Sequence, residues 1–248
     1  HGGGMDLVFP HHEAEIAQSN ACNNCAPVKY WIHNNMITVD GKKMGKSLGN
    51  FINLEEFFSG NHENLERAYG PMIIRFFILQ AHYRSTIDFS NEALQAAEKG
   101  FTKLMNAIET LQTLNPSKTS SYDVNELEKK CFIAMNDDFN TPILIAHLFD
   151  AVKIINSAKD GRGGFSSKDL EKIKTVFHVF VIGVLGFHFD KETLKTDLTS
   201  EIMALVLKLR TNAKNNKDWD SADLIRNELH KAGIKIKDSR KGSNWEIE

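Results

Sequence analysis

Hydrophobic residues recur at steps of three and four through the middle of the chain, which places them on one face of a helix. Three such faces are predicted: Leu94, Ala97, Phe101, Leu104, Ile108 and Leu111; Ile145, Leu148, Val152 and Ile155; and Leu170, Ile173, Phe177, Val181 and Val184. Thr141 is a candidate cap for the second helix, and Pro142 suits its first position. Residues 115–121 resemble a linker and Gly161–Gly164 a turn, so we expect an antiparallel helical bundle.

The first 50 residues have a different pattern, rich in Gly, His and Asn. A stretch from about Pro10 to Ser19 is compatible with a helix, and Met36–Val39 has strand character. A turn at Asp40-Gly41 then leads into a lysine-bearing loop, Lys42–Ser47. This segment predicts loops carried on an α/β scaffold.

The last 50 residues change pattern again. Apolar spacing predicts one helix around Ile202, Leu205 and Leu209 and a second through Ile225 and Leu229, ended by Gly233. Ile234–Lys237 then alternates like a strand.

Composition narrows the class of protein. The 248 residues are 42% hydrophobic with a formal net charge of −2, and no apolar run reaches the roughly 20 residues that span a bilayer. Three cysteines, an odd number, favour a reducing compartment, and we expect a cytoplasmic protein without a membrane partner. Residues 208–241 contain ten Lys and Arg but five Asp and Glu. This local positive charge suits either the binding of a polyanion or a solvated surface.

Lys43 and Lys46 stand three residues apart on a loop of small residues. Two cations so placed can stabilise charge that builds on phosphates during phosphoryl or adenylyl transfer. Taken alone, the same pair also fits an ordinary exposed surface.

His11 and Glu15 are four residues apart on the predicted helix, so both side chains project from one face. His12 and Glu13 are alternative candidates, although Glu13 projects in another direction. An imidazole and a carboxylate at that spacing can bind zinc, or they can form a solvated helix start. Cys22 and Cys25 form a Cys-x-x-Cys pair that could be half of a metal site or a redox pair.

These weak motifs occur together and in order. The block from His1 to Ser19 resembles the signature of cysteinyl-tRNA synthetases nearly residue for residue, apart from Ala14 in place of the usual Asn. Lys43–Ser47 resembles the "KMSKS" loop of that family, with Gly45 in place of Ser. The resemblance continues through His82–Ser85, Asp137–Pro142, and Lys217–Trp219 to Trp245.

The resemblance implies a multidomain, mainly α protein. Residues 1–50 would be the second half of a Rossmann-like α/β catalytic domain, and residues 51–120 a helical stem-contact region. Residues 121–198 would form a helical, DALR-like anticodon-binding bundle, and residues 199–248 a small mixed α/β domain that recognises the anticodon. Because His1 is not an initiator methionine and His1–Gly4 resembles the interior of a loop, we expect the other catalytic half upstream and no activity of this chain alone.

The resemblance also implies one zinc ion per complete enzyme, which binds the thiolate of the substrate cysteine. His11 and Glu15 match two of its ligands, and two cysteine ligands would lie upstream. A soft thiolate binds zinc far better than a serine hydroxyl does, so the metal would discriminate cysteine from serine.

Other positions are implied by the same resemblance. Gly4 and Asp6 would approach ATP, which binds with Mg²⁺, and His1 would flank the cysteine pocket. Lys43 and Lys46 would act on the phosphates. The tRNA(Cys) anticodon would be read by Trp219, Asp223 and Asp238.

Two alternatives stay open besides a cysteine–tRNA ligase that uses ATP, L-cysteine and tRNA(Cys). One is a cysteine ligase of the mycothiol-synthesis type, which would not need the module from Trp219 to Trp245. The other is a non-enzymatic tRNA-binding fragment.

Overall fold

A computed structural model describes residues 1–188, 203, 205–216, 218–231, 234–239 and 242–247. The chain divides into two compact units, His1–His188 and Phe189–Glu248. Each unit is taken by itself below.

The first unit begins with a strand–helix–strand arrangement. Strand β1 (Gly2–Gly4) pairs in parallel with β2 (Ile32–Asn34), and α1 (Glu13–Asn23) lies between them in the sequence. The loop predicted at His1–Gly4 is therefore wrong, because the glycines take part in strand pairing. A short 3₁₀ turn (Met5–Leu7) and a π-helical turn (Val8–His12) lead into α1. The helix predicted at Pro10–Ser19 is therefore present, but regular α-helix starts at Glu13.

A second sheet carries the lysine loop. Strand β3 (Ile37–Val39) pairs antiparallel with β4 (Lys42–Lys43) and parallel with β5 (Ile87–Phe89). The predicted turn separates β3 from β4, with φ of 49° at Asp40 and 72° at Gly41. Strand β5 was not predicted, because three residues are too few to show alternation.

Two helices pack beneath this sheet. Helix α2 (Leu54–Ser59) begins with a capping box in which Asn53 and Glu56 exchange hydrogen bonds, and α3 (Pro71–Leu79) begins at a proline. Together with the sheet they enclose one apolar cluster: Val39, Ile52, Phe57, Leu65, Tyr69, Ile74, Phe89 and Leu94. The sheet that carries the lysine loop therefore packs on a buried apolar core.

Four longer helices follow in the first unit, namely α4 (Asn91–Thr113), α5 (Val124–Asn136), α6 (Thr141–Lys159) and α7 (Ser167–Phe177). A π-helical segment (His178–Val184) continues directly from α7. Helix α4 packs against α3, α6 and α7, and α5 packs against α6 and α7. The predicted faces are confirmed: every predicted position is buried except Ile108, which is half-buried, and Val184, which is exposed.

The predicted start of α6 is wrong by one residue. Asn140, not Thr141, is the N-cap, and its side chain accepts a hydrogen bond from the backbone N–H of Ile143. Thr141 and Pro142 occupy the first two helical positions, where proline costs no hydrogen bond. Asn and Thr are both good caps, so the sequence alone did not separate them.

In the second unit, residues 205–215 are helical, and α8 (Trp219–Lys231) follows. Helix α8 packs against β6 (Ile234–Ser239), which pairs antiparallel with β7 (Gly242–Ile247). The predicted strand is confirmed within β6. Ile202 and Gly233, named above for two helices, lie outside the described residues.

Among the described helices, none combines the length and the hydrophobicity that a membrane span requires.

Candidate functional site

A cluster of rings lies where β1, β2 and the start of α1 meet. The His12 ring centroid is 4.9 Å from that of His1, 4.9 Å from that of Trp31 and 5.0 Å from that of His33. His12 is buried, and its Nδ1 lies 2.8 Å from Nε2 of His33, at hydrogen-bond distance. Pairing of β1 with β2 sets this geometry, because Gly3 is the partner of His33.

Gly3 and Gly4 lie close against neighbouring side chains. A Cβ on Gly3 would lie 2.7 Å from Cε1 of His12, and one on Gly4 would lie 2.3 Å from Oδ1 of Asp6. The His12 ring and the Asp6 carboxylate thus occupy the space that side chains would fill. Gly4 and Asp6, both predicted to approach ATP, are adjacent in space, and Asp6 is exposed.

His1, His12 and Glu15 form a group whose possible metal-binding atoms all lie within 4.8 Å of one another. Nδ1 of His1 is 3.7 Å from Oε1 of Glu15. Two imidazoles and a carboxylate are a donor set that suits zinc. The contact of His12 with His33 leaves Nε2 of His12 for a metal, in the way that metal-bound histidines bond a second partner through the other ring nitrogen.

His11 was predicted as the histidine ligand beside Glu15. The structure places it in the π-helical turn, exposed, and it does not belong to the group of three. The sequence favoured His11 because an i, i+4 spacing presumes a regular helix, whereas regular helix begins at Glu13.

Cys22 and Cys25 are free and exposed at the end of α1, where Asn24 adopts a left-handed conformation with φ of 54°. Within the described ranges, the group of potential metal ligands includes neither cysteine. The structure therefore adds no support for a metal half-site at this pair.

The lysine loop follows β4. Lys43 and Lys46 are exposed, and Nζ of Lys46 lies 5.4 Å from the centroid of the Phe51 ring, within range of a cation–π contact. Asn50 closes the loop: its Oδ1 accepts from the Gly45 N–H at 3.0 Å, and its Nδ2 donates to the Lys43 carbonyl at 3.1 Å. Asn50 was not singled out from the sequence, although its place directly after the lysine motif was a usable signal.

Gly45 stands where the related loop has serine. Its φ is −166°, extended backbone that any residue adopts, and a Cβ there would meet Leu48 at 3.6 Å, an ordinary contact. The loop therefore has room for a serine.

Asp88 holds the turn that precedes the lysine loop and was also missed. Its Oδ1 accepts from the Thr38 hydroxyl at 2.6 Å and from the Gly41 N–H at 2.8 Å. These two hydrogen bonds lower the pKa of the Asp88 carboxyl, with the Thr38 hydroxyl as the larger cause. The carboxylate therefore stays charged and fixes the β3–β4 turn.

Of the predicted anticodon residues, Trp219 and Asp223 lie on α8. Trp219 is the first residue of the helix and is 60% exposed, so it is not a core anchor, and Asp223 is exposed one turn later. Asp218 caps the helix by accepting from the Ser221 N–H at 3.1 Å. Asp238 belongs to β6, and its side chain lies outside what the structure describes.

Models of known protein families match three successive parts of the chain. Residues 1–99 match the catalytic domain of class I (C) tRNA synthetases. Residues 132–190 match the DALR domain, and residues 195–245 match the cysteinyl-tRNA ligase anticodon binding domain. The three matches follow one another in the order that the motifs suggested.

Curated relatives align with the whole chain. A cysteine–tRNA ligase of Parabacteroides distasonis is 55% identical over 249 residues, covering 100% of this chain and 51% of that protein. Those of Bacteroides fragilis and Chlorobaculum tepidum are 56% and 42% identical, with 51% and 50% of their lengths covered. The chain thus spans about half the length of the curated relatives it matches.

A solved structure shares the fold. The agnB2 LeuRS of Agrobacterium radiobacter K84, in a ternary complex with tRNA and LeuAMS, superposes with a TM-score of 0.53. Sequence identity is 14%, and the match covers 74% of this chain and 26% of the other.

Proposed function

Because the chain belongs to the cysteinyl-tRNA synthetase family, we propose that it forms part of an enzyme that activates L-cysteine with ATP and transfers it to tRNA(Cys). The observation that carries this proposal is the lysine loop, held in shape by Asn50 and placed at the edge of the β3–β4–β5 sheet. The loop and the histidine cluster belong to one compact unit.

Lys43 and Lys46 act on phosphate in this proposal. Both ammonium groups are exposed, so an incoming ATP, carried with Mg²⁺, can reach them. During adenylate formation negative charge builds on the leaving pyrophosphate, and fixed cations stabilise it more in the transition state than in the ground state. The hydrogen bonds of Asn50 reduce the reorganisation that the loop needs at that moment.

The Asp6 carboxylate lies against the backbone of Gly4 and is exposed, so in this proposal it accepts hydrogen bonds from the ATP ribose hydroxyls. His1 packs against Trp31, with ring centroids 4.6 Å apart. We propose that this wall accommodates the substrate cysteine.

Glu15 and a histidine of this segment would hold one zinc ion, with the remaining ligands supplied by the part of a complete synthetase that this chain does not include. The group of His1, His12 and Glu15 supports this proposal, since two imidazoles and a carboxylate are donors that suit zinc. When bound, zinc lowers the pKa of a coordinated thiol and so favours cysteine over serine.

The helical bundle and the terminal module would bind tRNA. The match of residues 195–245 to an anticodon binding domain supports a tRNA substrate over the amino sugar of a mycothiol-type ligase. Trp219 offers an exposed indole face on which an unstacked base can lie.

Substitution of Lys46 by alanine in a complete synthetase tests this function. We expect kcat of cysteine-dependent ATP–pyrophosphate exchange to fall by roughly a hundredfold, with little change in KM for cysteine. Lys42→Ala is the matched control, since Lys42 is also exposed but precedes the motif. A change confined to KM for cysteine would show that the loop does not act on the phosphates.

A further inference from the structure

The turn between α5 and α6 is joined to the segment before β5 by polar contacts centred on Asp138. Oη of Tyr83 donates to Oδ1 of Asp138 at 2.6 Å, and Nε of Arg84 lies 2.8 Å from Oδ2. Nε2 of His82 is 3.1 Å from the backbone carbonyl of Asp138. We call these four residues the Asp138 tie.

The backbone of this turn is held in a conformation that side-chain-bearing residues rarely adopt. Asp138 and Phe139 have φ of 52° and 55°, both in the left-handed region. Such residues persist where their surroundings fix them. Here the Asn140 N–H donates to the Ala134 carbonyl at 3.1 Å, and the tie holds the Asp138 carboxylate. The direction of that carboxylate is therefore fixed by the turn.

The other side of the tie is bonded to the residues that precede β3. Asn35 donates from its backbone N–H to the Tyr83 carbonyl at 2.8 Å and from Nδ2 to the Arg84 carbonyl at 3.0 Å. The Ile87 N–H donates to the Met36 carbonyl at 3.2 Å. Residues 82–87 thus connect the helical bundle to the start of β3.

Strand β3 leads directly to the lysine loop. Val39 is the partner of Lys42 and Thr38 the partner of Lys43, and the Met44 N–H donates to the Ile37 carbonyl at 3.4 Å. A continuous series of hydrogen bonds therefore runs from Asp138 to the backbone of Lys43.

We propose that Asp138 is a positioning residue that couples the α5–α6 turn of the helical bundle to the lysine loop. The coupling passes through Tyr83 and Arg84 to Asn35 and β3. The role of this coupling in catalysis rests on the proposed function. If the bundle moves when tRNA binds, the coupling would change the positions of Lys43 and Lys46. The physical coupling does not depend on that function.

Breaking the tie leaves the protein folded. The side chains of Asp138 and Arg84 are 41% and 61% exposed, and exposed ion pairs contribute little to global stability. The pKa of Arg84 is raised, first by its hydrogen bond with the Tyr83 hydroxyl and then by the charge of Asp138, so the guanidinium stays charged. The effect of a substitution is therefore expected locally.

Hydrogen exchange of backbone amides in the purified 248-residue chain tests the coupling. Asp138→Gly removes the carboxylate and keeps the left-handed backbone without strain, while Arg84→Ala breaks the tie from its other side. We expect amides of residues 37–45 to exchange about three- to thirtyfold faster in both variants, the usual range for coupling through a contact network. In the double variant, the exchange rates of residues 37–45 should be close to those of either single variant, because both substitutions remove the same interaction.

The matched control is Asp160→Ala, which breaks the exposed ion pair with Arg162 (2.7 Å) in the turn after α6. It should leave exchange of residues 37–45 unchanged. Unchanged exchange there in both tie variants, or an equal increase throughout α4, would overturn the proposal, since the second result means general destabilisation.

A complete synthetase provides the functional arm. We expect Asp138→Gly to lower kcat of cysteine-dependent ATP–pyrophosphate exchange by about three- to thirtyfold, with KM for cysteine unchanged. An unchanged kcat would overturn the positioning role. If the unsubstituted protein showed no cysteine-dependent exchange, the proposed function would fail, whereas the exchange of backbone amides would still decide the coupling.

Discussion

The three cysteines lie in different environments. Cys131 is buried in α5, whereas Cys22 and Cys25 are exposed at the end of α1. Burial raises the pKa of the Cys131 thiol to about 12, with a smaller contribution from the nearby charge of Glu128. The thiolate is the reactive form, so Cys131 stays protonated and inert at neutral pH.

We therefore predict that a thiol-specific reagent at pH 8 modifies two cysteines rapidly and the third slowly. The rate of the slow reaction should rise with denaturant, because it depends on opening of the fold. A Cys131→Ser variant serves as the control and should show the two fast reactions and no slow one. Three equally fast reactions would contradict the burial of Cys131.

Zinc affinity depends on which histidine stands beside Glu15. If His11 and Glu15 are the zinc ligands of this segment, as the family resemblance implies, we expect the 248-residue chain to bind zinc more weakly than nanomolar, because complete sites use three or four protein ligands. Competition titration against a chromophoric chelator measures this affinity. Stoichiometric nanomolar binding would contradict the prediction, and Cys22→Ser would then test the Cys-x-x-Cys pair.

Alanine substitutions of His11 and His12 distinguish between these two candidate zinc ligands. If His1, His12 and Glu15 bind zinc, His12→Ala should weaken the zinc affinity by about tenfold or more, because it removes one ligand of a small site. His11→Ala should leave the zinc affinity unchanged. The reverse order would identify His11 as the ligand, as the family resemblance implies. Circular dichroism of both variants controls for loss of fold, since His12 is buried.

At the scale of elements, α8 presents an aromatic side chain at its first turn. Trp219 is 60% exposed, so its indole can stack on an unpaired base, a contact that is worth roughly 1–3 kcal/mol. We predict that Trp219→Ala in a complete synthetase reduces kcat/KM for tRNA by about tenfold to a hundredfold. Cysteine-dependent ATP–pyrophosphate exchange without tRNA should be unchanged.

Leu224→Ala is the matched control for this prediction, because Leu224 is 61% exposed on the same helix and cannot stack on a base in the same way. It should leave both reactions unchanged. Equal losses of both reactions in Trp219→Ala would indicate a structural role, and no loss in either would exclude Trp219 from tRNA recognition.

The helices could be predicted from sequence better than the site. Helices α4, α6 and α7 show long runs of helical spacing, and the buried faces follow from that spacing alone. Strand β5 and the Asp138 tie could not be predicted in this way, since each depends on contacts between residues about 50 positions apart. Local patterns carry no information about such pairs.

The histidine cluster illustrates the same limit. The local spacing marked His11 and Glu15, with His12 as an alternative, and the family resemblance marked His1. The contact of His12 with His33 could not be predicted locally, because it joins residues 21 positions apart through the β1–β2 pairing. The lysine loop was predicted correctly as a loop after a turn, because Asp40-Gly41 is a strong local signal. Its closure by Asn50 and the anchoring of its turn by Asp88 are tertiary features.

At the scale of the whole molecule, the 248 residues contain one part of a proposed active site. They include the lysine loop, Gly4 with Asp6, and up to three zinc donors from the first segment. The curated relatives are about twice as long. The zinc site that the sequence resemblance implies has two cysteine ligands besides a histidine and a glutamate. Substrate cysteine would therefore lack a complete metal site on this chain.

We predict that the purified 248-residue chain shows no cysteine-dependent ATP–pyrophosphate exchange above a serine control. The lysine loop can stabilise charge on pyrophosphate only if ATP and cysteine are held in line, and that alignment supplies much of the rate. A complete synthetase measured in parallel is the positive control, and circular dichroism should confirm the helical content of the chain. Addition of the complementary half as a separate polypeptide should restore exchange if the two halves associate. Exchange by the chain alone, selective for cysteine over serine, would show that its own histidines and Glu15 suffice to select the substrate.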